Sequence, residues 1–241
     1  NSEKFARELA SKVDIYVNEA FSASHREHAS IVSVPKFLPS FIGLQFAREI
    51  KELSHAFYPK RPFLFILGGA KFRTKLPLLE KFVHIADEIF VGGALANNFL
   101  KIQGVDVGDS LVDDGEFGLS KLLETKKILL PEDTIVVNNK IMDAGPITME
   151  NLKSKIAAAK LILWNGPLGF YELGYKVATL QLAKMISEYG HESIIGGGDT
   201  LAAIQELNVW DEYSFISTGG GAMLDFLATG TLPGIEALSK K

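Results

Sequence analysis

Six short runs in this sequence are apolar at consecutive positions rather than alternating ones: Phe63–Leu67, Ile89–Val91, Thr134–Val137, Leu161–Trp164, Ser193–Ile195 and Ser214–Ile216. A strand with one wet face alternates. A strand buried on both faces does not, and such strands belong to parallel sheets covered by helices on either side. The runs start 26, 45, 27, 32 and 21 residues apart, far enough for the helical crossovers that parallel neighbours require. Helical patterns fill the gaps, at 74–87, 95–103, 116–125, 149–159, 175–189, 200–207 and 222–228. The expected fold is α/β: a doubly wound, Rossmann-like, six-stranded parallel sheet with helices on both faces.

The sequence before Phe63 reads differently. Residues 14–18 suit a strand, 21–30 are polar, and 34–39 carry two prolines. Phe46, Ile50, Leu53 and Phe57 then fall at i, i+4, i+7 and i+11, one face of a helix that Pro59 and Pro62 end. The expected division is residues 1–40 as a piece of another unit, 41–58 as a connecting helix and 59–241 as the main domain. A connecting helix that has lost its neighbour would leave the Phe46–Phe57 face uncovered.

Composition narrows the chemistry. None of the 241 residues is cysteine, which excludes a disulfide framework, a thiolate zinc site and a cysteine nucleophile, and fits a reducing, cytoplasmic setting. The net charge of −4 offers no basic field for a nucleic acid. The longest uncharged runs, Ile89–Leu100 and Tyr213–Leu224, have 12 residues, short of the roughly 18 needed to span a membrane. An anionic ligand would have to be held by local devices: glycine loops, helix ends and single lysines.

Those devices are present. Five of the six runs lead into small-residue loops: Gly68-Gly69-Ala70-Lys71, Gly92-Gly93-Ala94, Asn165-Gly166-Pro167-Leu168-Gly169, Gly196-Gly197-Gly198-Asp199-Thr200 and Thr218-Gly219-Gly220-Gly221-Ala222. In open α/β sheets ligands bind outside the carboxyl ends of the strands. Glycine there either lets backbone approach a ligand or simply makes a tight turn. Neither G-x-x-x-x-G-K-[ST] nor a G-x-G-x-x-G after the first strand occurs, which disfavours a P-loop or dinucleotide enzyme.

Single residues carry two readings each. Lys71 and Lys75, four apart at a helix start, suit phosphoryl oxygens or are solvated. Asp199 and Thr200 suit an N-cap or a Mg²⁺ held through substrate phosphates, and the two are compatible. Glu172 suits ribose hydroxyls or solvent. His25-Arg26-Glu27-His28 suits an anionic ligand better than a metal. Trp164 and Trp210 read as core.

Taken in order, these strings resemble the phosphoglycerate kinase family over nearly the whole chain. Val17-Asn18-Glu19-Ala20-Phe21 and Ser24-His25-Arg26-Glu27-His28 are similar to the end of that family's amino-terminal domain. The five glycine loops and Leu232-Pro233-Gly234-Ile235 are similar to its carboxyl-terminal domain. The resemblance implies reversible phosphoryl transfer between ATP and 3-phosphoglycerate in glycolysis, with Mg²⁺ as cofactor, ATP/ADP and 3-phosphoglycerate as the only partners, and a monomeric, cytoplasmic parent. It implies Lys71 on the transferring group with Gly219, Gly220 and Gly221, and Lys75 and Thr200 on phosphates. It places Gly69, Gly92, Gly93, Asn165, Pro167, Gly197 and Gly198 about the nucleotide, Glu172 on its ribose and Asp199 on Mg²⁺. His25, Arg26 and His28 match part of the triose patch, Arg26 with a share in catalysis.

Arg73-Thr74, Ala178, Met223 and Asp225 depart from the pattern. The segment that would supply most of the amino-terminal sheet is absent. The expectation is a nucleotide-binding half with a short remnant, inactive in transfer by itself. The alternatives are a free-standing, non-catalytic nucleotide-binding module and a doubly wound enzyme for another phosphorylated ligand.

Overall fold

The computed structural model describes residues 2–239 except 116 and 190. In chain order the elements are α1 (Glu3–Ala10), β1 (Tyr16–Asn18), β2 (Ser40–Ile42), α2 (Leu44–Ser54), β3 (Phe63–Leu67), α3 (Phe72–Phe82), β4 (Glu88–Val91), α4 (Ala94–Ile102), α5 (Leu119–Glu124) and β5 (Ile128–Leu129). Then come β6 (Thr134–Val137), β7 (Lys140–Ala144), α6 (Pro146–Ala158), β8 (Leu161–Asn165), α7 (Val177–Tyr189), β9 (Glu192–Gly196), α8 (Gly198–Leu207), β10 (Phe215–Ser217), α9 (Gly221–Thr229) and α10 (Pro233–Ser239).

The sheet has six strands in the order β10-β9-β8-β3-β4-β5. β3 pairs in parallel with β4 on one side and β8 on the other, with Leu67 opposite Val91 and Asn165. The chain therefore runs outward from β3 through β4 to β5, then returns and runs outward the other way from β8. The reversal lies between β3 and β8, the place where doubly wound folds open a crevice for ligands. All five residues of β3 and of β8 are buried. Ile66, Ile162, Trp164, Leu182, Ile186, Ile195 and Ile204 pack together across the sheet and its helices.

One expected strand is displaced. Thr134–Val137 does not join the main sheet. It pairs antiparallel with Lys140–Ala144 as a hairpin whose middle residues, Ile135 and Val136, are exposed. The sixth position in the main sheet goes to the two-residue Ile128–Leu129, parallel to β4. The expected helix at 116–125 begins at Leu119, with Glu116 outside the described residues. Trp164 is fully buried, but Trp210 is 40% exposed rather than core.

The chain divides into two compact units, residues 1–55 with 217–241, and residues 56–216. The sequence reading placed 217–241 with the second; by packing they go with the first. In that first unit β1 and β2 form a two-stranded parallel sheet. The 46–57 face is not left uncovered: Phe46 and Leu53 are fully buried. Phe46 packs edge-on against Phe21, and Phe21 against Phe226 of α9.

Candidate functional site

In the second unit the loops after β3 and β8 are packed on each other. Gly68 N–H donates to the Asn165 carbonyl at 2.9 Å and Gly69 N–H to the Pro167 carbonyl at 2.8 Å. The loop after β4 joins them through Gly93 N–H on the Leu168 carbonyl at 3.1 Å. A Cβ on Gly166 (φ +96) would fall 2.4 Å from the Gly68 carbonyl oxygen. Glycine is needed there because backbone meets backbone, before any ligand is considered.

Over these loops lies a cavity of about 350 Å³, within the range of small-molecule sites. Its floor is Gly69, Gly93 and Pro167, and Glu172 and Asp199 stand on its wall. Asp199 is in the first turn of α8, where the leading N–H groups have no partner inside the helix and favour an anion. The opposite wall was not foreseen. Residues 107–111 are strapped to β7 by an isolated bridge from Gly108 to Lys140 and by Ile141 N–H on Ser110 Oγ at 2.8 Å. Asp109, Ser110 and Leu111 of this stretch and Asn97 of α4 line the cavity. The Nδ2 of Asn97 donates to the Leu111 carbonyl at 3.0 Å, and its Oδ1 has no partner among the described residues.

The remaining candidates are placed around this cavity rather than in it. Lys71 is exposed just ahead of α3. Lys75 is 7% exposed, its Nζ donating to the Gly68 carbonyl and lying 3.0 Å from the Cβ position of Gly69. Burial brings its pKa down to about 8, opposed by Asp199 and assisted by Lys71. Thr200 is fully buried, and its hydroxyl accepts the Gly166 N–H at 2.9 Å. Asn165 is buried at the end of β8, with Nδ2 3.3 Å from the Cβ position of Gly197. Gly92, Gly197 and Gly198 shape the turns into α4 and α8.

The first unit gathers the other candidates. Ser217 Oγ donates to the buried Glu49 carboxylate at 2.7 Å and Thr218 N–H at 3.0 Å, fixing the entry to Gly219–Gly221. Gly219 lies against Phe21, where a Cβ would be 2.6 Å from the ring. His25 Nε2 is 3.5 Å from the Cβ position of Gly221, at the N-terminus of α9, and accepts from Arg26 Nε at 3.3 Å. The His25 Nδ1 is buried without a partner among the described residues. His28 is exposed at the turn into residues 29–33. Glu49 is a polar residue on a helix whose periodicity drew attention only to its apolar face.

An α/β sheet with its loops converging at a strand-order reversal defines a phosphate- or nucleotide-binding class of protein. Comparison with known sequences narrows this. The family model described as phosphoglycerate kinase matches residues 1–230. All of the chain aligns at 40% identity with 68% of the phosphoglycerate kinase of Wolbachia sp. subsp. Drosophila simulans (strain wRi). It aligns equally well with 67% of that of Orientia tsutsugamushi (strain Ikeda). Among solved structures, phosphoglycerate kinase from Coxiella burnetii superposes with a TM-score of 0.87 at 34% identity, over 99% of this chain and 69% of that one. The chain belongs to the phosphoglycerate kinase family.

Proposed function

We propose that the cavity at the carboxyl ends of β3, β4, β8 and β9 holds the nucleotide of a reversible phosphoryl transfer between ATP and 3-phosphoglycerate, in the cytoplasm. One observation carries this: four separate strand-end loops, three interlocked by backbone bonds and the fourth tied to them through the Thr200 hydroxyl, line one cavity with a carboxylate on a helix N-terminus at one side and Glu172 at another. The apolar side chains of Leu111, Ile141 and Met142 suit a base, and Glu172 suits ribose hydroxyls. The phosphates would run toward Asp199 and the first turn of α8, where backbone N–H groups and the dipole favour them.

The donor set around Asp199 fits Mg²⁺ in one way only. Among the described residues no cluster of three or more metal-ligating side chains exists. An ion held by one carboxylate and completed by phosphate oxygens and water suits magnesium's habits. When bound, it neutralises charge on the phosphates. The chain's own contribution is positioning and charge. Lys71, exposed beside the Gly68–Gly69 loop, is free to follow the moving phosphoryl group. Lys75 holds the loops and adds positive charge behind them. In the first unit the α9 N-terminus at Gly221, with His25, Arg26 and His28, is the anion-binding surface we assign to the triose. Transfer requires both reactants held in line and shielded from water.

Calorimetry with ADP, with and without Mg²⁺, tests the site. Saturable binding strengthened by Mg²⁺ is expected; no binding under either condition would remove the nucleotide from this cavity. A coupled assay with 3-phosphoglycerate tests the second half. Turnover near the common enzyme value of about 10 s⁻¹ would show the chain to be a complete catalyst.

A further inference from the structure

Asp143 is a buried carboxylate with no part in the reading above. It lies near the end of β7, is 4% exposed and touches the cavity. Its Oδ1 accepts the Ala144 N–H at 3.0 Å and its Oδ2 the Ala178 N–H at 3.1 Å, in the first turn of α7. It therefore ties the hairpin strand to the helix that follows residues 168–176. That segment is pressed against it: a Cβ on Gly169 would sit 2.3 Å from Asp143 Oδ1 and 2.4 Å from the Tyr175 carbonyl oxygen.

The same segment is held at further points. Leu168 N–H donates to the buried Thr179 Oγ1 at 3.0 Å, and Phe170 N–H to the Met142 carbonyl at 2.8 Å. On the outside, Tyr171 OH donates to Glu206 at 3.2 Å and Lys176 Nζ reaches both oxygens of Glu206 at 2.7 Å. Glu206 stands on α8, the helix that carries Asp199 in its first turn. Glu172 lies between these fastenings, exposed on the cavity wall.

We propose that Asp143 and Glu206 are positioning residues that fix the 168–176 segment so that Glu172 receives the ribose hydroxyls of the bound nucleotide. The proposal rests on the nucleotide reading of the cavity. Holding Glu172 in place lowers the entropy lost when the ribose arrives, which is how preorganisation raises affinity. Asparagine is a poor substitute for Asp143, because an amide offers one acceptor atom where two N–H groups must be met.

The test is calorimetric titration of the native chain, Asp143→Asn and Glu206→Ala with Mg-ADP and with Mg-2′,3′-dideoxy-ADP. The native chain should prefer ADP by about tenfold or more, the usual worth of hydrogen bonds to a charged group. In each variant that preference should shrink severalfold, while affinity for the dideoxy nucleotide stays within about twofold. A residue that only stabilises the fold would weaken both nucleotides alike and leave the ratio unchanged. Glu206 is exposed and its loss leaves the core intact, so Glu206→Ala decides the matter if Asp143→Asn does not fold. Native ratios in the folded variants would overturn the proposal and leave the nucleotide reading standing. A native chain that binds both equally would overturn the proposal alone, and one that binds neither would overturn the nucleotide reading with it.

Discussion

Asp199 and Lys75 show two fates of a charge placed at a glycine loop. Asp199 stays exposed on the first turn of α8 and is free to meet a ligand. Asp199→Ala should weaken Mg-ADP binding at least tenfold and metal-free ADP binding much less, as measured by calorimetry. The N-cap of α8 is Gly197, so equal loss in both would leave Asp199 only a charge favoured by the helix N-terminus. Lys75 is folded inward, and burial lowers its pKa to about 8. At pH 8.5 the free chain therefore holds much of Lys75 neutral. A phosphate group nearby would raise its pKa again, so ADP binding should take up protons. Titrations at pH 8.5 in two buffers of different ionisation enthalpy measure that uptake, and Lys75→Met should abolish it. No uptake in the native chain would confine Lys75 to fastening loops. That Lys75 points into the loops was not legible from its spacing to Lys71, because the burial comes from Gly68 and Gly166, the latter nearly a hundred residues away in sequence.

The interlocked loops make an element-by-element prediction about stability. Gly166→Ala would place a methyl carbon 2.4 Å from a carbonyl oxygen on a residue already at φ +96. It should cost about 2 kcal/mol or more in denaturant unfolding, beyond the loss of a glycine's chain freedom. Helix α6 offers a cleaner case. Asp133 caps it from outside, accepting the Thr148 N–H at 2.7 Å, the Ile147 N–H at 3.1 Å and the Thr148 hydroxyl at 2.7 Å. Some desolvation acts on this carboxyl, yet the bonds from Thr148 and Ile147 win and hold it below its ordinary pKa. The cap's stabilisation is therefore present above the unfolded carboxyl's pKa and fades as pH falls through the lowered one. Asp133→Ala should cost about 1 kcal/mol at pH 7 and progressively less as pH falls through the lowered pKa. A cost that persists in acid would point to packing rather than charge.

Such elements differ in how far the sequence discloses them. Phe63–Leu67 and Leu161–Asn165 are buried at every position, and their unbroken apolar runs say so. Thr134–Val137 has the same kind of run but lies half-exposed in a hairpin, because four β-favouring residues look alike whether covered by helices or not. Ile128–Leu129 is too short to register as a strand at all. The glycine loops located the floor of the cavity and Asp199, whereas Asn97, Asp143 and residues 109–111 reach the wall only through tertiary packing.

Beyond these elements, what the chain leaves uncovered also has consequences. The two-stranded parallel sheet of β1 and β2 exposes Val17 and Phe41, each 55%. Parallel strands are ordinarily buried on both faces and have neighbours at their edges. The purified chain should therefore associate as its concentration rises, and Val17→Lys combined with Phe41→Lys should reduce that, as read by light scattering. A native chain that scatters as a monomer throughout would show this sheet to be adequately protected.

The cavity to which we assign the nucleotide lies wholly within residues 56–216. The most direct measurement is a calorimetric titration of the purified 241-residue chain with Mg-ADP at neutral pH, alongside Asp199→Ala. One saturable site per chain, weakened at least tenfold in the variant, is the predicted result. The absence of saturable binding in a folded native chain, or binding that Asp199→Ala leaves untouched, would contradict it.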